Sequence, residues 1–341
     1  MTGVQTCALP IYLLEGTRRL ALVGLAKNTG KTQTLAAILA EHAAAARRIG
    51  VTSIGRDGEE RDVIDARIGK PRIHLQAGSL VASTDALLRA SGVAHQRLVQ
   101  TGIRTPLGEV IVAELSEPGT LEVAGPSAAE DVRSVSEEMI GFGAEQVLID
   151  GAIDRRAASS PRVSDGLVMA TGAVLGEDVE QVVAATRDAV DLVRLPRSES
   201  GDAGVPLPGR LVLSGEPAEI AALLTEHPHA NAFLVEGALG ERFLEGLLAA
   251  RRERAGRELQ IVANNPTKVF LSLHSAGWYR RQGISIEVLR TIELKAITVN
   301  PVAPQSHRLD SRRLRELIGA AVPDVPVLDV LDPDYPASPH P

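Results

Sequence analysis

The sequence predicts an α/β fold, built on a mostly parallel, doubly wound sheet with helices on both faces. From Leu20 onward, short apolar runs alternate with stretches of helical pattern, as in a parallel sheet. Hydrophobic residues make up 44% of the 341-residue chain and aromatic residues only 2%, so Leu, Val, Ile and Ala must fill the core. Aliphatic strands of this kind are typical of parallel sheets that are covered by helices.

Eight segments are predicted strands, and many of them end in Gly, Asp, Asn or Glu. Ligands of doubly wound sheets bind at the carboxyl ends of the strands, so these terminal polar residues are the first candidates for a binding site. The segments are LALVG (20–24), GVTSIG (50–55), EQVLID (145–150), DGLVMAT (165–171), RLVLSG (210–215), AFLVEG (232–237), LQIVAN (259–264) and KAITVN (295–300).

The length allows two domains, but α/β chains of this size often form one domain with insertions, and we predict a single domain over residues 12–330. Residues from about 70 to 126 are predicted to form a small inserted lobe, because TPLGEVIVAELSEPGTLEVAGP alternates and turns like a β-hairpin. The Pro/Gly/Ser-rich residues 196–209 are a predicted linker, and the proline-rich residues 331–341 are a predicted irregular tail.

Composition and charge exclude several classes of function. The net charge is −7, with 36 Lys and Arg residues against 43 Asp and Glu residues, which gives no basic footprint for nucleic acid. No apolar run approaches the roughly 18 residues needed to span a membrane. Cys7 is the single cysteine, so disulfides and thiolate metal sites are not expected, in agreement with a reducing cytoplasm.

The first eleven residues, MTGVQTCALPI, resemble the translation of a widely used sequencing adapter. They lack the charged start and the long apolar centre of a signal peptide. We therefore expect residues 1–11 to be an artefact that is disordered and dispensable, and Cys7 belongs to this segment.

Residues 20–35, LALVGLAKNTGKTQTL, have the order strand, glycine-containing loop and helix. The loop contains Gly24 and Gly30, and Lys31 and Thr32 lead into the alanine-rich run LAAILAEHAAAA. The first turn of a helix presents unpaired N–H groups and the positive end of its dipole to an anion. We therefore predict a phosphate-binding loop of the Walker A type; the alternative is an ordinary turn between strand and helix.

In a loop of this type, the lysine ammonium contacts the β- and γ-phosphates of a nucleotide and the threonine hydroxyl binds Mg²⁺, so ATP and Mg²⁺ are the expected cofactors. The strict pattern G-x-x-x-x-G-K-[ST] requires glycine at position 25, which is Leu25, and Gly24 lies one residue too early. The expected nucleotide-binding residues of the loop are Lys27, Asn28, Thr29, Gly30, Lys31, Thr32 and Gln33.

A Mg²⁺ site beside the loop needs a carboxylate at the end of a neighbouring strand, because Mg²⁺ prefers oxygen ligands. Asp150 closes EQVLID and precedes Gly151, which is the form of a Walker B acid. An Asp in this position can also be a helix cap or a turn residue. Glu236 in FLVEGALG has the same strand-acid-glycine form and is the competing candidate.

A second acidic group lies in VTSIGRDGEE, after the strand that follows the predicted loop and helix. Asp57 could belong to the Mg²⁺ shell or orient an attacking water, and Glu59 is next in line. The alternative is a polar turn, which RDGE favours. The expected catalytic residues are therefore Lys31, Asp57 and Asp150, and the expected metal-binding residues are Thr32, Asp57 and Asp150.

Base recognition is predicted at Asn300, where ITVNPVAP ends a strand and begins a proline-rich loop. A side-chain amide offers a donor and an acceptor together, which can match the edge of adenine. The alternative is a turn Asn before proline. Asn264, Asn265 and Lys268 in VANNPTKVF are reserve candidates.

The segments GLAKNTGKT, VTSIGRDGEE, KPRI, LIDGAIDRRAASSP, DGLVMATGAVLG and ITVNPVAP resemble the ATPase subunit of the lysine 5,6-aminomutase reactivase. The order of loop, strand-end acid and late Asn-Pro segment is also similar to the wider group of P-loop NTPases that contains dethiobiotin synthetase and the molybdopterin-guanine adaptor proteins. The resemblance implies a P-loop NTPase fold and, of the site residues, supports Lys31, Thr32, Asp150 and Asp57.

For a reactivase of lysine degradation, the resemblance implies that ATP hydrolysis drives the release of damaged cobalamin from an adenosylcobalamin-dependent aminomutase. A second reactivase subunit and the aminomutase are the implied partners. Two alternatives remain open. One is an ATP-dependent synthetase of the dethiobiotin-synthetase type, whose substrate groups could come from the predicted lobe, and the other is a nucleotide-binding adaptor with negligible turnover.

Overall fold

The computed structural model describes residues 15–54, 72–152, 158–201, 203–251, 258–304 and 307–332. The chain divides into two compact units. The first contains the residues up to Thr186 and those from Glu293 onward, and the second is Arg187–Ile292. The single domain expected over residues 12–330 thus comprises two units. Residues 1–11, the predicted artefact, lie outside the described residues.

The described residues form seventeen strands and nine α-helices. The strands are β1 Arg19–Gly24, β2 Ile49–Ser53, β3 Ile73–Leu75, β4 Leu80–Thr84, β5 His95–Thr105, β6 Gly108–Leu115, β7 Gly119–Leu121, β8 Gln146–Ala152, β9 Gly166–Gly172, β10 Val205–Pro206, β11 Ala232–Val235, β12 Leu239–Gly240, β13 Leu259–Ala263, β14 Val269–Phe270, β15 Ile284–Val288, β16 Glu293–Asn300 and β17 Val327–Leu328. The helices are α1 Lys31–Ala44, α2 Asp85–Ser91, α3 Ala129–Gly141, α4 Val179–Val193, α5 Gly209–Ser214, α6 Pro217–Glu226, α7 Glu241–Arg251, α8 Ala276–Arg281 and α9 Ser311–Ala321.

The first unit is built on a nine-stranded sheet in the order β17-β16-β9-β1-β8-β2-β4-β6-β5. All pairs from β17 to β4 are parallel, whereas β6 and β5 pair antiparallel at one edge. The predicted α/β fold with a mostly parallel sheet is therefore confirmed. Because parallel strands end at the same edge, the carboxyl ends of β16, β9, β1 and β8 lie side by side there.

The core of the first unit packs α1 against this sheet through aliphatic side chains. Leu20 and Leu22 of β1, Ile38 of α1, Val51 of β2 and Leu148 of β8 are almost completely buried in one cluster. Aliphatic side chains fill such a space at high density when strands are covered on their faces. The core therefore fixes the position of α1, and with it the loop that precedes the helix.

The structure does not confirm a separate lobe over residues 70–126. A hairpin turn lies at the start of TPLGEVIVAELSEPGTLEVAGP, where β5 and β6 pair antiparallel and Thr105 is opposite Gly108, but β6 also pairs with β4 in the main sheet, whereas β7 pairs with β3. Residues Val110–Ala113 of β6 are buried, as expected for a strand that has a neighbour on each side and is covered by other elements. The segment therefore extends the main sheet.

One predicted strand is wrong, since residues 210–214 of RLVLSG lie in the helix α5. Pro208 precedes the helix, and Gly215 ends it in the left-handed conformation with φ of 61°. Leu211 and Val212 face the core, whereas Leu213 is 73% exposed. A short apolar run can form a helix or a strand, and here the proline and the glycine at its two ends favour the helix.

The second unit has a four-stranded, fully parallel sheet in the order β10-β11-β13-β15. Its core includes Phe233, Phe243 and Tyr279, all buried. Part of the predicted linker is folded here, because Val205 and Pro206 form β10 and the Ser198 N–H donates to Val288 O at 2.8 Å. Among the helices that the structure describes, none is long and apolar enough to cross a bilayer.

A buried histidine of α1 contacts the amino end of β8, a central strand of the main sheet. His42 is 1% exposed, and its Nε2 atom lies 2.9 Å from Gln146 Oε1. The Gln146 amide donates to Thr17 O at 2.7 Å, so His42 Nε2 is the donor to Gln146 Oε1. Burial lowers the pKa of His42; the hydrogen bond to Gln146 opposes this, Arg47 adds to the lowering, and Glu145 raises the pKa.

This histidine should make the fold sensitive to acid. Its pKa is lower in the folded than in the unfolded chain, so the unfolded chain binds the proton first, and stability falls as the pH drops below about 6.5. We expect the unfolding free energy of His42→Gln, measured by urea titration between neutral and mildly acidic pH, to fall less than that of the wild type. The exposed His229→Gln is the matched control and should follow the wild type. A constant difference between His42→Gln and the wild type at all pH values would contradict this role.

Candidate functional site

The loop between β1 and α1 makes a compact turn at the carboxyl edge of the main sheet. Its first residue, Leu25, donates its N–H to Ala170 O of β9 at 2.9 Å. The Thr29 hydroxyl donates to Ala26 O at 3.0 Å inside the turn. Asn28 has a left-handed backbone with φ of 69°, which asparagine tolerates better than most residues. The strand, the loop and the helix thus occur in the predicted order.

The helix α1 begins without a side-chain cap. Gly30 is the N-cap residue, with φ of 88°, and the first turn contains no acidic residue. The first N–H bonded within the helix is that of Thr34, which donates to Gly30 O at 3.0 Å. The N–H groups of Lys31, Thr32 and Gln33 precede that bond, and the helix dipole favours an anion beside them. The site can therefore bind phosphate through its backbone.

Gly24, which lies one residue before the position that the strict Walker A pattern specifies, is needed there for a steric reason. A Cβ atom on Gly24 would lie 2.5 Å from the Thr29 hydroxyl oxygen and 3.3 Å from Ala26 O. Thr29 is 2% exposed, so it has little room to move. Glycine is therefore required at position 24, at the end of β1, whereas position 25 accepts a leucine.

Lys31, the first residue of α1, forms an ion pair with Asp150 of β8. Lys31 Nζ lies 2.8 Å from Asp150 Oδ1, and the two side chains are 24% and 31% exposed. The pairing of β8 with β1 places Asp150 opposite Leu22, and its pairing with β2 places Asp150 opposite Ser53. The structure thus brings together two of the predicted site residues. The exposed Glu236 follows β11 and belongs to the second unit.

The carboxylate of Asp150 has capacity for a further partner. Its Oδ1 atom is buried and makes no hydrogen bond among the described residues, although the Lys31 ammonium lies beside it. The described residues include no cluster of three His, Cys, Asp or Glu side chains that could hold a metal alone. The half-buried Thr32 hydroxyl and the Asp150 carboxylate are hard oxygen ligands and fit Mg²⁺, which takes the rest of its shell from phosphate and water.

The Asn300 amide contacts the loop. Its Nδ2 atom donates to Asn28 O at 2.9 Å, and its Oδ1 atom accepts from Val302 N at 3.1 Å. Each end of the amide thus makes one hydrogen bond within the protein, which fixes its orientation against the loop, and the contact with adenine stays a prediction. The sequence could not indicate the bond to Asn28, because the two asparagines are 272 positions apart.

Other sequence candidates are placed as follows. Lys27, Asn28 and Gln33 are exposed around the loop, whereas Thr29 is buried. Asp57 and Glu59 lie outside the described residues. Asn264, Asn265 and Lys268 belong to the second unit, where the buried Asn265 accepts hydrogen bonds from the N–H and the hydroxyl of Thr267 and caps a short turn.

No sequence pattern indicated one buried residue pair that joins α1 to β16. The hydroxyls of Thr34 in α1 and Thr298 in β16 lie 2.7 Å apart in a buried contact. This bond joins the first turn of α1 to the strand that carries Asn300. Thr34 and Thr298 are 264 positions apart, so no local sequence pattern identifies them as partners.

No protein-family model matches the chain, and no curated relative matches it. Two solved structures show a distant similarity. A structure of pNOB8 ParA bound to nonspecific DNA is 17% identical with a TM-score of 0.27, over 62% of this chain and 76% of that chain. A structure of pNOB8 ParA is 18% identical with a TM-score of 0.27, over 62% of this chain and 78% of that chain. A TM-score of 0.27 is too low for these structures to support a function of this chain.

We expect Asp150→Asn to keep the fold and to weaken Mg²⁺-dependent nucleotide turnover, because the amide keeps the shape of the side chain but loses the charge that attracts the metal. Loss of the partly exposed ion pair should cost at most ~1 kcal/mol of stability. The Mg²⁺ concentration that gives half-maximal hydrolysis should rise roughly 10- to 100-fold.

Glu236→Gln is the matched control and should leave the Mg²⁺ dependence unchanged. If Glu236→Gln abolishes turnover while Asp150→Asn does not, the metal acid is Glu236 and the site described around Asp150 is wrong.

Proposed function

We propose that this protein binds and hydrolyses ATP with Mg²⁺ at the loop between β1 and α1. The observation that carries this proposal is the Lys31–Asp150 ion pair at the uncapped N-terminus of α1. It places one cation, one carboxylate and a row of backbone donors around the same point. A β-phosphate needs the cation and the donors, and its metal needs the carboxylate.

Phosphate binding would redistribute the charges of the site. The Lys31 ammonium, paired with Asp150 in the described structure, would exchange that carboxylate for the phosphate oxygens. The Asp150 carboxylate would then be free to bind the water shell of the metal, and the Thr32 hydroxyl would face the same ion. Mg²⁺ bound with ATP would neutralise charge on the β- and γ-phosphates. The chain itself would orient the phosphates.

Hydrolysis also needs a group that positions the attacking water. Asp57, with Glu59 next in line, keeps the role that the sequence suggests, and this part of the proposal rests on the sequence alone. An acid in the segment that follows β2 fits the proposal, since β2 is next to β8 in the sheet and its carboxyl end is beside Asp150.

For the biological role, we propose the ATPase subunit of a reactivase that releases damaged cobalamin from an adenosylcobalamin-dependent aminomutase. The support is the sequence resemblance together with the position of its motifs. GLAKNTGKT follows β1, LIDGA ends β8, DGLVMATG covers β9 and ITVNP ends β16. These are four adjacent strands of the main sheet, so the motifs that resemble the family converge on one edge.

The first test of ATP binding is Lys31→Ala. A charged hydrogen bond to phosphate is worth ~1.5–3 kcal/mol, so we expect the variant to bind Mg-ATP roughly 10- to 100-fold more weakly and to lose hydrolysis. Stability should fall by at most ~1 kcal/mol, because the lost ion pair with Asp150 is partly exposed. Isothermal titration and urea unfolding measure the two effects separately.

Lys295→Ala is the matched control, because Lys295 Nζ forms a 2.8 Å ion pair with Glu293 in the same unit. It should change neither ATP affinity nor hydrolysis. Equal ATP affinity in Lys31→Ala and the wild type would mean that the loop is an ordinary turn.

The biological role is tested with an adenosylcobalamin-dependent aminomutase that carries inactivated cobalamin, together with the second reactivase subunit. We expect cobalamin to be released from the aminomutase only with Mg-ATP, and Lys31→Ala to release none. Formation of a phosphorylated or ligated small carboxylate would instead identify a synthetase. Tight ATP binding without hydrolysis or release would identify an adaptor.

A further inference from the structure

Asn300 occupies the narrow space between the phosphate loop and the end of β9. A Cβ atom added to Gly30 would lie 3.0 Å from Asn300 Cβ, and one added to Gly172 would lie 2.3 Å from Asn300 O. Two glycines, one in the loop and one at the end of β9, thus make room for this asparagine. Asn300 is packed against the loop as well as hydrogen-bonded to it.

The hydrogen bonds of Asn300 fix the part of the loop whose conformation is least favourable. Its Nδ2 atom donates to the carbonyl of Asn28, whose φ is 69°, and Gly30 with φ of 88° follows two residues later. A left-handed conformation costs energy at a residue other than glycine, so that of Asn28 persists where the surroundings hold it. The bond from Val302 N to Asn300 Oδ1 fixes the amide in turn, so its donor group points at the loop.

We propose that Asn300 is a positioning residue that holds the loop in its phosphate-binding shape before the nucleotide arrives. This inference rests on the proposed function, since it assigns Asn300 to the phosphate side of that same site. The conformation of Asn28 and Gly30 determines where the N–H groups at the start of α1 point. A loop that is ordered in advance loses less conformational entropy when it binds its ligand, and affinity rises accordingly.

A positioning role and base recognition predict that different ligands lose affinity when Asn300 is replaced. Reading adenine requires that the N–H and the oxygen of an amide face the base, whereas in Asn300 one N–H donates to Asn28 O and the oxygen accepts from Val302 N–H, which orients the amide toward the loop. A residue that shapes the phosphate loop should affect every ligand with a polyphosphate, whatever its base. A residue that reads the base should affect ATP alone.

The test compares Mg-ATP, Mg-GTP and Mg-tripolyphosphate, a probe without any base, by isothermal titration to the full chain. We expect Asn300→Ala to weaken tripolyphosphate and ATP by the same factor, roughly 3- to 10-fold for one hydrogen bond, and to leave the ratio of ATP to GTP affinity unchanged. Asn231→Ala, which removes an exposed amide that precedes β11 in the second unit, is the matched control and should change none of the three.

Asn300→Leu keeps the measurement decisive if the alanine variant folds poorly, because leucine has about the shape of asparagine and adds no charge beside the phosphates, but has no donor for Asn28 O. It should lose affinity for all three ligands by the same factor. A loss confined to ATP, or a lower melting temperature with unchanged affinities, would overturn the inference. If the wild type binds ATP and both Asn300 variants match it, the inference fails and the proposed function stands. If the wild type binds none of the three, both fail.

Discussion

The left-handed backbone of Gly30 at the start of α1 is the constraint on which the site depends. With φ of 88°, this position strains any residue with a side chain, and a Cβ atom would also press on Asn300. Because Gly30 has no side chain, the first N–H groups of α1 have no side-chain partner from the N-cap position. The charges of Lys31 and Asp150 then lie beside uncapped donors, which is the chemistry that a phosphate and its metal need.

The parallel sheet brings distant segments to this point. The ends of β16, β9, β1 and β8 are neighbours, so Asn300, Ala170, the loop and Asp150 meet although they are spread along the sequence. The buried bond between Thr34 and Thr298 and the bond from Leu25 N to Ala170 O connect the loop to two of these strands. An aliphatic core beneath α1 fixes the position of the helix against the sheet.

The sequence was informative where the signal is local. The order strand, glycine loop, Lys-Thr and helix predicted the β1–α1 turn, and an acid followed by glycine at a strand end predicted the position of Asp150. It failed where long-range pairing decides. The pairing of β6 with β4 joins segments that are well separated in the sequence, and the short run RLVLSG fits a helix as well as a strand. The contact between Asn300 and Asn28 depends on the folded sheet, so no local pattern encodes it.

The most direct measurement of the central claim is a crystal structure of the protein with Mg²⁺ and a non-hydrolysable ATP analogue. The account predicts the β-phosphate against the N–H groups at the start of α1, with the Lys31 ammonium on phosphate oxygen and Asp150 facing the metal shell. Asn300 should still hold the Asn28 carbonyl. A nucleotide bound elsewhere, with the Lys31–Asp150 pair intact and the loop empty, would contradict the account.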